Sequence, residues 1–159
     1  MDKEATCISH DGTALSKLEG FCKHSDIDQY LRLCLPLVCY GASGLDVLNL
    51  EAILEENEEE VTPGGYINPA GFLVVATSIG GNAVCFDVNT GNVYWADHGR
   101  FSEVRILSVD SKTGEMECYE TLPENVIKGM VLLDTSIENF LCELLQDKLE
   151  DELEELDMN

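Results

Sequence analysis

Few side chains in this sequence are spaced for catalysis or metal binding. The three histidines, His10, His24 and His98, lie far apart, and none has the spacing of a metal ligand. His98 follows Asp97 at the end of an apolar segment, and a carboxylate beside an imidazole can serve as an acid and base pair. Such a pair more often forms a structural hydrogen bond where a strand ends. Both interpretations stay open at this point.

The seven cysteines are scattered, and no two have the Cys-x-x-Cys spacing of a zinc or redox motif. Several lie inside apolar segments, where a free thiol behaves as a small hydrophobic group. This pattern indicates reduced thiols and a cytoplasmic protein. Cys85 and Cys118 are the candidates for a thiol enzyme, but neither has a neighbouring basic residue that would favour the thiolate. The pattern therefore favours structural thiols over a thiol enzyme.

Asp87, Asn89 and Gly91 have the spacing with which a calcium-binding loop begins. The remaining oxygen ligands and the closing glutamate are missing, and residues 110–114 repeat the same Asp-x-x-Thr-Gly pattern. The repetition indicates two hairpin turns, each closed by its aspartate. A phosphate loop is not predicted, since Gly80 and Gly81 lie between two predicted strands rather than before a helix. We therefore expect no catalytic residue, no metal and no cofactor.

The segment from Ala70 to Asp97 predicts the sheet that positions most of these residues. It contains three apolar strands, at residues 72–76, 83–86 and 92–96. The corners between them are short and polar, so the three strands must be antiparallel neighbours. Tyr94 and Trp95 alternate along the third strand, which predicts one of them in the core and the other at the surface as an interface anchor.

Further strands are predicted at residues 35–40, 45–48, 104–109, 116–119 and 130–133. Helices are predicted at residues 14–21, after an N-cap at Ser25, after an N-cap at Asn49, and from a capping box formed by Thr135 and Glu138. The last of these is amphipathic, with an apolar stripe that continues to Leu156. The pattern predicts an α+β fold in a single domain over residues 1–159. We expect a mostly antiparallel sheet of about five or six strands, with helices packed on one face.

The charge of the chain is extreme, with 31 Asp and Glu residues against 9 Lys and Arg and a net charge of −22. Such a surface repels nucleic acid and anionic membranes, and it attracts basic proteins. It also keeps a protein soluble, which is the simpler explanation. No apolar segment approaches the length that crosses a bilayer, and no cationic leader precedes an apolar run. The sequence thus predicts a cytoplasmic protein that binds neither nucleic acid nor membranes.

Two stretches concentrate the acidic residues. The first is a run of five glutamates at the end of a predicted helix, where negative charges oppose the helix dipole: Glu55, Glu56, Glu58, Glu59 and Glu60. The second is the tail, residues 146–159, in which leucines are interspersed with acids. Each stretch is either a solvated, disordered or frayed segment or a negative patch for a cationic partner. The tail has a further option, which is to dock a second copy of the protein in a homodimer.

The pattern of residues 72–98 resembles the SUKH superfamily, which includes the yeast cell-wall-assembly regulator and many bacterial proteins regarded as immunity factors against secreted toxins. The matching positions are Gly80, Gly81, Asn82, Cys85, Phe86, Asp87, Gly91, Val93, Tyr94, Trp95, Asp97 and His98. Residues 134–141 resemble the start of the family's closing helix, with Ile137 in place of its usual aromatic residue. The resemblance extends over residues 35–145, and residues 1–34 are atypical because they lack the family's Leu-Pro-x-x-Tyr entry.

Together with the charge, the resemblance implies a non-enzymatic immunity protein that occludes a basic, nuclease-type toxin domain. The clefts of nucleases hold polyanions and are basic, so a strongly acidic domain would be steered towards them. A regulatory adaptor resembling the cell-wall-assembly regulator, whose partner is not a toxin, is the alternative. We expect the partner-binding residues in the glutamate run and at the sheet edge: Glu55, Glu56, Glu58, Glu59, Glu60, Tyr94, Trp95, Asp97 and His98.

Overall fold

The computed structural model describes residues 16–159, so the predicted turn at residues 10–13 and the start of the first predicted helix lie outside the described part. Eight strands are present in it: β1 (Tyr40–Ala42), β2 (Leu45–Val47), β3 (Phe72–Ser78), β4 (Ala83–Asp87), β5 (Val93–Ala96), β6 (Ile106–Val109), β7 (Met116–Tyr119) and β8 (Met130–Asp134). Six of them form one sheet in the order β1-β2-β3-β4-β5-β8, and β6 and β7 form a separate hairpin. Every pair of neighbours is antiparallel. The predicted α+β fold is confirmed.

Five α-helices accompany the sheet within the described residues: α1 (Ser25–Gln29), α2 (Leu50–Glu56), α3 (Gly64–Ile67), α4 (Ile137–Leu145) and α5 (Glu150–Met158). The first continues directly into one turn of π-helix, Tyr30–Cys34. Short 3-10 turns complete the chain at Glu19–Phe21, Asn68–Ala70, His98–Arg100 and Pro123–Gly129. The predicted C-terminal amphipathic segment is present as two helices, α4 and α5.

The centre of the sheet is buried on both faces. All five residues of β4 and all four of β5 are buried, and successive side chains of a strand point to opposite faces. On one face, the ring of Tyr30 packs edge-on against Phe86 with ring centroids 5.3 Å apart. On the other face, Phe72 and Tyr94 make a similar contact at 5.6 Å. Both sheet faces therefore belong to the core.

The burial of both sheet faces corrects the prediction for the two aromatic residues of β5. Trp95 is 2% exposed and Tyr94 is 8% exposed, so the expectation that one of them lies at the surface is wrong. Tyr94 and Trp95 do point to opposite faces, but alternation places a residue at the surface only where one face of the sheet is bare. Neither ring is available as an interface anchor.

Both hairpin turns with the Asp-x-x-Thr-Gly pattern are confirmed. The Asp87 carboxylate accepts hydrogen bonds from the Asn89 amide and the Thr90 hydroxyl, each at 2.9 Å. The Asp110 carboxylate accepts from the amides of Lys112 and Thr113 at 2.8 and 2.9 Å. The glycine that ends each turn is left-handed, with φ of +74° and +71°. These local bonds give each turn its shape.

The predicted strand at residues 35–40 is wrong, because only its last residue, Tyr40, is in a strand. Val38 in the middle of this segment is 71% exposed. The backbone is held instead by a side chain, since the Asn49 amide donates to the Leu37 carbonyl at 3.2 Å. Asn49 also caps α2 as predicted, accepting from the Ala52 amide at 3.0 Å.

Two helices begin differently from the prediction. The N-cap of α1 is His24 rather than Ser25, and the ring of His24 accepts from the Asp26 amide at 3.3 Å. The N-cap of α4 is Ser136 rather than Thr135, and its hydroxyl accepts from the Asn139 amide at 3.2 Å. In both cases a neighbouring residue supplies the capping acceptor, a ring nitrogen at His24 and a hydroxyl at Ser136, so the helix is present but its N-cap is shifted by one residue.

The predicted continuous C-terminal helix is interrupted between Leu145 and Glu150. Asp147 is left-handed there, with φ of +54°, and its carboxylate accepts from the Ser43 amide at 2.7 Å. The Ser43 hydroxyl in turn donates to the Leu144 carbonyl at 2.8 Å. This link to the β1–β2 turn satisfies the end of α4 and redirects the chain into α5. The tail is thus helical and docked through the buried Leu153, so of its two interpretations the frayed segment is the one that the structure does not support.

The glutamate run is ordered as well. The Glu58 amide donates to the Glu55 carbonyl at 3.1 Å, and the next turns lead directly into α3. The approach is close, because a Cβ added at Gly64 would lie 1.7 Å from the Glu56 carbonyl oxygen. A disordered acidic loop is therefore excluded, and glycine is required where the loop meets α3.

Asn57, within this run, bonds the half of the β3 edge that β2 does not pair. Its side-chain oxygen accepts from the Val74 amide at 2.9 Å, and its side-chain nitrogen donates to the Val74 carbonyl at 3.1 Å. The same amide group donates to the Ile53 carbonyl and accepts from Asn68. Asn57 thereby takes the place of a neighbouring strand and satisfies a buried backbone pair.

We expect Asn57→Ala to lower the free energy of unfolding by about 2–4 kcal/mol, because each buried polar group of Val74 left unpaired costs about 1–3 kcal/mol. Urea denaturation followed by the fluorescence of the single tryptophan, Trp95, measures the change. Asn125→Ala is the matched control, since the hydrogen bonds of Asn125 are exposed. Equal stability of the two variants would contradict the edge-closing role of Asn57.

Candidate functional site

The Gly-Gly-Asn corner between β3 and β4 contains the densest polar network among the predicted functional residues. Asn82 is its centre and is 4% exposed. Its side-chain oxygen accepts from the His98 amide at 3.0 Å and lies 2.8 Å from Nδ1 of the same histidine. Its side-chain nitrogen donates to Oδ1 of Asp157 at 2.8 Å. One buried amide therefore joins the end of β5 to the last turn of α5.

The corner has this shape because of its two glycines. Gly81 is left-handed with φ of +87°, and its amide closes the turn on the Ser78 carbonyl at 3.1 Å. A Cβ added at Gly80 would lie 3.0 Å from Oδ1 of Asp157, so the carboxylate would have to shift by a few tenths of an ångström to make room. The Ser78 hydroxyl donates to the same carboxylate oxygen at 2.5 Å. Both glycines and Ser78 thus serve to receive Asp157.

Ser78, His98 and Asp157 are the residue types of a catalytic triad, but they are not connected as one. In a triad the histidine accepts from the serine, whereas here the Ser78 hydroxyl donates to Asp157. His98 faces the Asn82 oxygen, which can only accept, so His98 carries a hydrogen on Nδ1. The arrangement leaves the serine without a base and is a structural network.

Asp97 and His98 do not form the mutual hydrogen bond that either interpretation of the pair requires, and each has another partner. Oδ1 of Asp97 lies 3.8 Å from Nδ1 of His98, which is beyond hydrogen-bond distance. Asp97 instead accepts from the Gly99 amide at 2.8 Å and caps the short 3-10 turn that follows β5. Its second oxygen lies 3.8 Å from Nε of Arg100. Of the two residues, His98 is the more exposed and Asp97 is half-buried.

The structure does not join the two parts of the predicted binding surface. The glutamate run is attached to β3 at Val74, whereas His98 is attached to the corner beyond Ser78, roughly 13 Å further along the strand. Glu55, Glu58, Glu59 and Glu60 are exposed as predicted, but Glu56 is half-buried. Burial, followed by the nearby charge of Glu55, raises the pKa of Glu56. The run is therefore an acidic surface of its own.

The more sharply defined acidic surface lies on α5. Its buried side carries Leu153, and its exposed side carries five carboxylates that we call the acidic ridge: Glu150, Asp151, Glu152, Glu154 and Glu155. None of the five forms an ion pair with a residue in the described range 16–159. Three of them lie in the first turn, where negative charge stabilises a helix. The sequence identifies this segment only as part of an acidic tail, because nothing in its local pattern distinguishes Asp157 as the residue that docks it.

The thiols differ in access. Cys85 is completely buried in β4, and burial raises the pKa of its thiol well above the ordinary value, so it is inert as a nucleophile. Cys118 is exposed on β7. Among residues 16–159, no group of three or more histidine, cysteine or acidic side chains is placed to hold a metal ion. In the same residues, no helix combines the length and apolar character needed to cross a membrane.

Comparison with known proteins adds no neighbour. No family model, no curated protein and no solved structure matches this chain. The resemblance to the SUKH superfamily consequently stays a prediction. The structure does give the residues behind that resemblance a physical role, since Gly80, Gly81, Asn82 and His98 all belong to the network that receives Asp157.

We expect Asp157→Ala to release α5 from the corner and to lower the free energy of unfolding by about 1–3 kcal/mol, because Ser78 and the buried Asn82 lose their shared acceptor. Hydrogen exchange of residues 150–158 should speed up, while exchange in β4 stays slow. Asp151→Ala, on the exposed side of the same helix, is the control. If both variants exchange alike, Asp157 does not hold the helix.

Proposed function

We propose that this chain is a non-enzymatic protein-binding domain that takes a basic protein partner on the acidic ridge of α5. The observation that carries the proposal is the docking of α5, since Asp157 and Leu153 hold the helix while five carboxylates on its other side face solvent. A charged surface that is already ordered loses less conformational entropy on binding than a mobile tail does.

The charges of the molecule support electrostatic capture. The net charge is −22, and within residues 16–159 the arginine ion pairs are limited to Arg32 with Asp28 and Arg100 with Asp97. Most carboxylates are therefore not neutralised within the chain, and their field extends into solvent. A field of one sign speeds the encounter with a partner of opposite sign by one to three orders of magnitude at low salt. A basic protein is the partner that this field favours.

Within this class, an immunity protein that occludes a basic, nuclease-type toxin domain is the leading proposal. It is supported by the resemblance to the SUKH superfamily and by the match between an acidic ridge and a cleft built to hold polyanions. A homodimer formed through the ridge is disfavoured, since two ridges of like charge repel each other. The regulatory adaptor is the second candidate, supported by the same resemblance, and a gene for a secreted toxin beside this gene would distinguish the two.

The absence of catalysis is part of the proposal and is supported by three observations. The Ser78 hydroxyl faces a carboxylate instead of a histidine. Asp97 serves as a cap and lies too far from His98 for a hydrogen bond. Cys85, one of the two thiols considered for an enzyme, is completely buried. Ser78 and Asp97 are thus used to hold the fold, and the Cys85 thiol is inaccessible.

We expect the triple variant Asp151→Asn, Glu154→Gln and Glu155→Gln to bind the partner about tenfold more slowly at low salt, because it removes three charges from the ridge. The partner is the protein that co-purifies with the tagged full chain from its native host. Stopped-flow association at several salt concentrations gives the rate and its salt dependence, which should become shallower.

The matched control is Glu58→Gln, Glu59→Gln and Glu60→Gln, which makes the same change of net charge on the glutamate run. Its association rate should fall less than that of the ridge variant. A larger effect from this control would move the binding site to the glutamate run. Unchanged rates in both variants would mean that the acidity serves solubility and that the proposal is wrong.

A further inference from the structure

The β6–β7 hairpin carries apolar side chains on the face that points away from the core. Leu107 and Val109 of β6 lie opposite Cys118 and Met116 of β7, so the four side chains share one face. None of them belongs to the hydrophobic core or packs against it, and Met116 is 69% exposed. The outer face of an antiparallel sheet is usually polar. Here it is apolar and uncovered.

The opposite face of the hairpin is held by the body of the protein. Ile106 is completely buried, and a Cβ added at Gly129 would lie 2.9 Å from Cγ2 of Ile106. Nζ of Lys128 lies 3.9 Å from the centre of the Tyr119 ring. These contacts anchor the hairpin on the 3-10 turn Pro123–Gly129. The exposed apolar face is therefore a fixed feature of the fold.

β7 also has a free backbone edge. The Asp110 amide donates to the Glu115 carbonyl at 2.9 Å, which establishes the residue pairs of the hairpin that are hydrogen-bonded. The alternation of such pairs turns the N–H and C=O groups of Met116 and Cys118 away from β6. No other strand in the described range 16–159 pairs with β7. The strand has no proline, no lysine and no bulge, so it lacks the common devices that protect an edge strand.

The charge of this region favours a second copy of the chain as the occupant. Residues 100–129 hold six acidic and four basic side chains, which is a net charge of −2 out of the total of −22. Residues 130–159, by contrast, hold ten acidic side chains and one basic side chain. A basic partner is therefore attracted less strongly to the hairpin than to α5, whereas two copies of the acidic chain repel each other less at the hairpin.

An antiparallel pair of β7 strands centred on Cys118 is self-complementary. Cys118 then lies opposite Cys118 of the second copy, and Glu117 lies opposite Tyr119 of the second copy on the same face. Lys128 covers that tyrosine ring and forms no ion pair with a residue of the range 16–159. Each Glu117, which already accepts from its own Tyr119 hydroxyl, thus meets a cation across the pair. A register centred on Glu117 would place two carboxylates directly opposite each other and is disfavoured.

We propose that the β6–β7 hairpin is a homodimer interface, in which β7 pairs with β7 of a second copy about a two-fold axis. The pairing joins two hairpins into one four-stranded antiparallel sheet, which is more stable than a two-stranded hairpin alone. It supplies partners for the free backbone groups of Met116 and Cys118 and partly buries their side chains. The interface shares no residue with the acidic ridge, so it goes beyond the proposed function.

The first test is sedimentation velocity of the reduced full chain at a series of concentrations, at low and at moderate salt. A dimer should form, and it should be tighter at moderate salt because screening weakens the repulsion between two copies of charge −22. A chain that stays monomeric up to its highest soluble concentration at both salt concentrations would overturn the proposal.

A matched pair of variants locates the interface. Cys118→Lys places two lysines directly opposite each other and should weaken the dimer at least about tenfold. Cys142→Lys, at an exposed position of α4, makes the same change of charge and should dimerise like the native chain. Because both positions are exposed, both variants should keep the native Trp95 fluorescence. Dimerisation that is unaffected by Cys118→Lys, or weakened equally by both variants, would contradict pairing through β7.

The native cysteine also reports the register. Opposite residues of a hydrogen-bonded antiparallel pair have Cα atoms about 5.5 Å apart, so a short bis-maleimide, which adds one thiol at each end, should join the two Cys118 side chains. The covalent dimer should be lost in Cys118→Ser and retained in Cys142→Ser. A covalent dimer that survives Cys118→Ser would place the contact elsewhere and overturn the assignment.

Discussion

The whole structure depends on the burial of β4 from both sides. Its five residues are all buried, so apolar elements of the chain must pack on both faces of the sheet. Every backbone group at the ends and edges of the sheet must still be hydrogen-bonded. Apolar contacts alone do not fix the position of the elements that pack on each face, because the hydrophobic effect is non-directional. Their positions are fixed by three directional polar contacts at the margins of the sheet: Asn57 with Val74, Ser43 with Asp147, and Asn82 with Asp157.

These three contacts have a common design. In the first two, a side chain bonds backbone groups that a neighbouring strand or a further helix turn would otherwise satisfy, and in the third a carboxylate accepts from two side chains. Their sequence separations are 17, 104 and 75 residues. Together they fix the loop after α2, the break between α4 and α5, and the last turn of α5. The acidic ridge is a consequence of the third contact, because the helix is presented outward only while Asp157 is held inside.

The separations also explain what could be predicted from the sequence. The hairpin turns at Asp87 and Asp110 depend on bonds that span two or three residues, and the pattern of those residues was sufficient to predict them. The break at Asp147 depends on Ser43, which no local pattern connects to it, so a continuous helix was expected. Tyr94 is buried because the second face of the sheet is covered by packed residues as well. The acidity of the chain was visible in its composition, whereas Asp157, the acidic residue of α5 that turns inward, was indistinguishable from its neighbours.

The charges of α5 place stability and binding in opposition. The acids of the first turn are favourable for the helix, but Glu154 and Glu155 lie nearer its C-terminus, where negative charge opposes the dipole. Salt weakens this repulsion and stabilises the helix, and it weakens the attraction of a basic partner by the same screening. The docking of Asp157 resolves the conflict, because hydrogen bonds to Ser78 and the buried Asn82 are much less sensitive to salt than exposed charges are. The ridge can therefore stay ordered at the low ionic strength at which its field reaches furthest.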